Sequence, residues 1–121
     1  IIRNKPEHLA DRLQTTAQNH ALALSSVVVA ELLYGTRKKE TPALERLVKL
    51  FIDNFVIYDF DKKAAEAYAL IRHELQRSGR IIGANDLFIA AHALSRDAVL
   101  VTNNIKEFER IERLKLENWV G

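Results

Sequence analysis

Three acidic residues stand in settings that ask for a reason. Glu31 lies among Val29, Ala30, Leu32 and Leu33. A carboxylate in apolar company is costly to desolvate unless it is paired or binds a cation. Asp86 opens the apolar run Leu87-Phe88-Ile89-Ala90-Ala91, behind the lead-in Gly79-Arg80-Ile81-Ile82-Gly83. Glu107 follows Asn104 by three residues, just past Thr102 and Asn103. Each has a plainer reading. Glu31 fits the solvent face of an amphipathic helix. Asp86 fits a first-turn acid favoured by the helix dipole, although the dipole explains one acid and not the glycine-rich lead-in. Asn104-x-x-Glu107 fits a capping box.

Carboxylates gathered without cysteine or spaced histidine suit hard cations such as Mg²⁺ or Mn²⁺. Such sites hydrolyse phosphodiesters by activating water and neutralising the leaving oxygen. Arg80, Lys106 and Arg110 fall near the same stretches and could hold phosphates; as single basic residues they also fit a solvated surface. His92, between alanines, reads as a packed or partner-bonded histidine, and His8, His20 and His73 show no ligand spacing. With no cysteine, no Gly-x-Ser-x-Gly and no phosphate-cradling glycine loop, covalent nucleophilic catalysis has little support.

The elements that must position these groups follow from periodicity and capping. Pro6 to Gln18 reads as an amphipathic helix, Leu22–Ser25 as a short strand, and Val27–Lys38 as a helix capped by Ser25 or Ser26. Thr41-Pro42 starts a helix with Leu44, Leu47, Val48, Phe51 and Ile52 on one face. Phe55–Phe60 is a strand. Asp61 caps a helix over Lys62–Ser78, with Ala65, Tyr68, Ala69, Ile71 or Arg72, and Leu75 along one side, and Gly79 ends it. Asn85–Arg96 is a helix, Ala98–Thr102 an apolar strand, Ile105–Ile111 a short helix and Leu114–Val120 a last strand. Short apolar strands separated by helices argue an α/β fold with a parallel sheet covered on two sides. Ligands bind at the carboxyl ends of such strands. Glu31, Asp86 and the Thr102–Asn104 segment fall at those ends.

At 121 residues, 48% hydrophobic and 28% charged, the chain makes one domain with a packed core, residues 1–121. Its net charge of +2 permits a polyanionic partner without demanding one. No run is long enough to span a membrane, and the lack of cysteine fits a reducing compartment. The chain also lacks methionine and starts Ile1-Ile2, so we expect it to begin downstream of the true start.

Taken together, these segments resemble a known family. Ser25-Ser26-x-x-x-Ala-Glu31-Leu-Leu-Tyr-Gly35, Gly79-Arg80-x-Ile-Gly83-x-Asn-Asp86-x-x-Ile-Ala-Ala-His92-Ala and Val101-Thr102-Asn103-Asn104-x-x-Glu107-Phe108 occur in the order found in PIN domains, specifically the VapC toxins of type II toxin–antitoxin pairs. A Leu-x-x-Glu-Asn-Trp119 ending fits as well. The resemblance implies a PIN-like three-layer fold, a central parallel sheet flanked by helices. It implies a Mg²⁺- or Mn²⁺-dependent cytoplasmic endoribonuclease for structured RNA, with a tRNA or a ribosomal RNA loop as target. Glu31, Asp86 and Glu107 are implied as metal-binding, and Glu31, Asp86 and Asn104 as catalytic. Thr102, Asn103, Arg80 and Lys106 take supporting or RNA-binding places. A homodimer, and a hetero-oligomer with a VapB-type antitoxin, are implied as assemblies. The alternatives are another PIN-type nuclease or a non-catalytic interaction module. The family's first strand, which ends in a metal-binding Asp, would precede Ile1. This chain is therefore expected to be N-terminally incomplete, to bind metal weakly and to cut RNA poorly, which comparison with a chain restored with that strand would test.

Overall fold

The computed structural model describes residues 22–118. The expected helix over Pro6–Gln18 and the first strand expected ahead of Ile1 lie outside the described residues, as does Trp119. In chain order the elements are β1 (Ala23–Ser25), α1 (Ser26–Lys39), α2 (Pro42–Ile52), β2 (Val56–Tyr58), α3 (Lys62–Arg77), α4 (Ala84–Ser95), β3 (Val99–Val101), α5 (Ile105–Phe108) and β4 (Lys115–Glu117).

The strands pair in parallel. β1 lies against β2 with Ala23 opposite Val56 and Ser25 opposite Tyr58. β3 lies against β4 with Val99 opposite Lys115 and Val101 opposite Glu117. Among the described residues these are two separate two-stranded ladders, so the expected single sheet appears as two parallel pairs. Their apolar faces are only partly covered: Val99 is 46% and Val101 42% exposed. The α/β arrangement of short parallel strands and covering helices holds.

The core sits where α3 meets α4. Ile71 and Leu75 of α3 pack with Leu87, Ala90 and Ala91 of α4, and with Ile82, Phe108, Ile111 and Leu114. Ala64, Ala90 and Ala91 are fully buried, and residues this small fill close helix contacts without strain. The inward stripe of α3 runs through Ala64, Ile71 and Leu75 with Tyr68 and Ala67 beside it. The expected stripe held Tyr68 and Leu75, and of Ile71 or Arg72 it is Ile71 that is buried, but it erred on Ala65 and Ala69, which are exposed. In α2 only Ile52 is buried; Leu47, expected on its inner face, is 64% exposed. A helical period marks a face but does not say how much of it finds a partner.

Local signals set the element ends. The Ser25 hydroxyl accepts from Val27 N–H at 3.1 Å and starts α1. Asp61 Oδ1 accepts from Ala64 N–H at 3.0 Å and starts α3, which holds the Asp61 carboxyl below its ordinary pKa. Gly79 at φ 71° stops α3. The Arg80 N–H donates to Leu75 O at 2.8 Å and the Gly79 N–H to Gln76 O at 3.2 Å, the paired bonds of a Schellman motif. Thr41 does precede α2, but its side chain donates to Lys39 O and caps nothing.

Candidate active site

Two short loops bring the acidic residues together. The loop after Gly79 ends at Gly83, the N-cap of α4, and places Asp86 in the helix's first turn. The turn after β3 runs through Thr102 and Asn103 to Asn104, the N-cap of α5, and places Glu107 one turn on. They meet at Gly83, whose N–H donates to Glu107 Oε1 at 2.8 Å. A Cβ at position 83 would stand 3.5 Å from Glu107 Oε1 and 3.7 Å from Asp86 Oδ2. The bare backbone therefore looks onto both carboxylates at once.

The expected capping box at Asn104 does not form. No side-chain cap bond closes α5 there. Asn104 Nδ2 instead donates to Glu107 Oε2 at 2.7 Å, while the Asn104 N–H donates to Thr102 Oγ1 at 3.0 Å. The amide and the Gly83 N–H thus hold one carboxylate oxygen each. A box would have turned Glu107 back onto its own helix; here it faces α4.

The third carboxylate arrives from α1. Glu31 is exposed, and its Oε2 accepts from Asn85 Nδ2 at 3.0 Å. The electrostatics register all three acids. Asp86 is pushed up to about 6, first by burial, then by the charge of Glu107 and a hydrogen bond with it, and last by the charge of Glu31. Glu107 moves down, chiefly because the Gly83 N–H donates to it, helped by Asn104, Asp86 and the charge of Arg110. The two carboxyls titrate as an interacting pair, Asp86 moved up and Glu107 moved down.

The remaining expected residues divide. Thr102 supports Asn104 through its backbone. Arg110 donates from Nη1 to Ile81 O at 2.9 Å, which ties α5 to the loop ahead of α4 and occupies the side chain. Arg80, Asn103 and Lys106 are exposed along the same edge. His92 is buried with Nδ1 2.6 Å from the Ser25 hydroxyl and its ring edge-on to Phe60. Burial pulls its pKa down, so it is the packed, partner-bonded histidine the sequence suggests. Sequence reasoning missed Asn85 and the Gly83 N–H. Asn85 stood next to Asp86 in the quoted motif, but nothing local tells a helix-start amide from one that reaches 54 residues back along the chain.

For a divalent cation the donor chemistry fits. Asp86 is raised to about 6 first by burial and then by the carboxylates that face it, and a cation would neutralise the charge that both disfavour. Among the described residues no three acidic or histidine side chains already surround one point as a complete ligand set. Glu107 and Asp86 converge, and Glu31 is held by Asn85 at the margin.

The chain shares its fold with known proteins. A family profile described as PIN domain matches residues 1–114. The chain is 44% identical to the protein named ribonuclease VapC2 of Rickettsia felis, over 98% of this chain and 89% of that one. It is 40% identical to the tRNA(fMet)-specific endonuclease VapC of Salmonella typhimurium, again over 98% and 89%. The structure superposes on the VapBC2 complex of Rickettsia felis, bound to a promoter DNA fragment, with a TM-score of 0.90, covering 94% of this chain and 86% of that one. It superposes on the DNA-bound VapBC of Salmonella typhimurium with a TM-score of 0.85 at 41% identity, over 96% and 87%.

Proposed function

The chain belongs to the PIN-domain family, and from that premise we propose that it is the ribonuclease toxin of a type II toxin–antitoxin pair. The relatives it resembles along nearly its whole length are named as ribonucleases or a tRNA endonuclease, and the solved ones are VapBC complexes. It acts in the cytoplasm on structured RNA, with a tRNA or a ribosomal RNA loop as the target, as a homodimer restrained by a VapB-type antitoxin.

The observation that carries the reading is the pairing of Asp86 with Glu107 at the Gly83 N–H, with Glu31 close enough to add its charge. Glu31, Asp86 and Glu107 would hold a Mg²⁺ or Mn²⁺ ion. When bound, such an ion activates water and neutralises charge on the leaving oxygen of a phosphodiester. The chain's own groups do the rest. Asp86 gives up its proton above about pH 6 and becomes available as a ligand. Asn104 and the Gly83 N–H fix the two oxygens of Glu107, and Thr102 fixes Asn104. Arg80, Asn103 and Lys106, exposed at the same edge, contact the RNA backbone. A non-catalytic module in which Asp86 and Asn104 act only as caps is disfavoured, because neither α4 nor α5 has a side-chain cap bond and Asn104 bonds Glu107 instead.

Cleavage of RNA by the purified protein in Mg²⁺ or Mn²⁺ tests this. Glu31→Gln and Asp86→Asn should each lose more activity than the roughly 10–100-fold expected of an outer-shell residue, with cooperative unfolding retained. Full cleavage by either variant rejects the assignment.

A further inference from the structure

We propose that Asn85 is a positioning residue: its side-chain amide holds the Glu31 carboxylate beside Asp86 and so sets the shape of the cation site. The inference rests on the ribonuclease reading above and adds a residue to it.

Asn85 and Asp86 are consecutive in the first turn of α4. Neighbouring side chains on a helix diverge by about 100°, so one turn can serve two directions. Asp86 faces Glu107 of α5. Asn85 reaches Glu31 of α1 with an Nδ2–Oε2 distance of 3.0 Å. Glu31 is exposed, and an exposed glutamate samples many rotamers. The amide selects the one that leaves its carboxylate within electrostatic reach of Asp86.

The residue type matters as much as the place. An amide donates a hydrogen bond without adding charge. An aspartate of the same shape would turn a like charge onto Glu31, where Asp86 and Glu107 already crowd negative charge. Nor does the helix need this bond to begin, since it ties Asn85 to a residue on another element. Residues that orient metal ligands from behind commonly set affinity and rate together.

The test is a double-mutant cycle on Mn²⁺ affinity, measured by calorimetry, with kcat and KM for RNA cleavage recorded beside it. Asn85→Ala should weaken Mn²⁺ binding about 10-fold and lower kcat, with KM little changed and thermal unfolding in chelator unaltered. The isosteric Asn85→Asp should do at least as much damage. In a Glu31→Ala background Asn85→Ala should cost nothing further. In the metal-free protein, the Asn85 side-chain amide proton resonances should move on Glu31→Ala. Wild-type Mn²⁺ affinity in Asn85→Ala, or an equal loss with and without Glu31, overturns the proposal while leaving the ribonuclease reading intact. Cleavage that survives Glu31→Gln and Asp86→Asn instead removes the site itself.

Discussion

Asp86 shows how one side chain can record a whole site. Its proton is held to about pH 6 by burial, by Glu107 and by Glu31, against an ordinary value near 3.8. The sign of the linkage follows. An acid whose folded-state pKa is raised favours folding while protonated, and that advantage fades as pH rises through the folded value. Above pH 6 ionised Asp86 therefore works against the fold. Glu107 has the opposite sign: its lowered pKa favours folding above its ordinary value, and that gain is lost as pH falls through the folded one. In chelator, Asp86→Asn should melt higher than wild type at pH 8 and level with it at pH 4. Solvent screening keeps the gain to about 1 kcal/mol or less. Differential scanning at the two pH values checks this; a lower melting temperature for the variant at pH 8 would contradict it.

Among the elements, the start of α1 has more than one duty. The Ser25 hydroxyl caps the helix at Val27 and sits 2.6 Å from His92 Nδ1, while the next residue, Ser26, accepts from the Phe60 N–H. One corner thus joins β1, α4 and the segment leading into α3. Ser25→Ala should cost about 1 kcal/mol for the cap and about 1–3 kcal/mol more for stranding a buried imidazole nitrogen. Thr41 is the control. It occupies the same position ahead of α2 but makes no cap bond, so Thr41→Ala should change stability by less than about 0.5 kcal/mol. Urea denaturation of both variants measures the contrast, and equal losses would show that Ser25 does no more than an exposed hydroxyl. The loop ahead of α4 is held in the same economical way, by the Schellman bonds behind Gly79 and by Arg110 on Ile81 O.

At the scale of the molecule, three helices each send one carboxylate to a common edge, and their mutual repulsion is what a cation would relieve. Binding to the folded form alone stabilises it by mass action, about 2.7 kcal/mol at 100 times Kd. For a chain of this length that raises the melting temperature by roughly 10 °C. Mn²⁺ should produce such a shift, chelator should reverse it, and Glu31→Gln should lose most of it. An unchanged melting temperature across a Mn²⁺ titration would exclude a cation site built on these residues.

The sequence by itself determined the order of the elements, most of their ends and the identity of the acids. Asp61, Gly79 and Ser25 act through bonds only a few residues long, and such bonds are written in local sequence. The apolar run behind Asp86 likewise announced a buried helix, and Leu87, Ala90 and Ala91 fill the core. Tertiary structure decided what local pattern left open. Asn104-x-x-Glu107 satisfies the spacing of a capping box, yet its carboxylate turns to Gly83, 24 residues away, because a backbone N–H on another element competes for the same oxygen. The inner stripes of α2 and α3 depended on which neighbours arrived to cover them. The start of α4 proved to be a junction: Asp86 looks to α5 and Asn85 to α1, and the packing of three helices gives adjacent residues different partners.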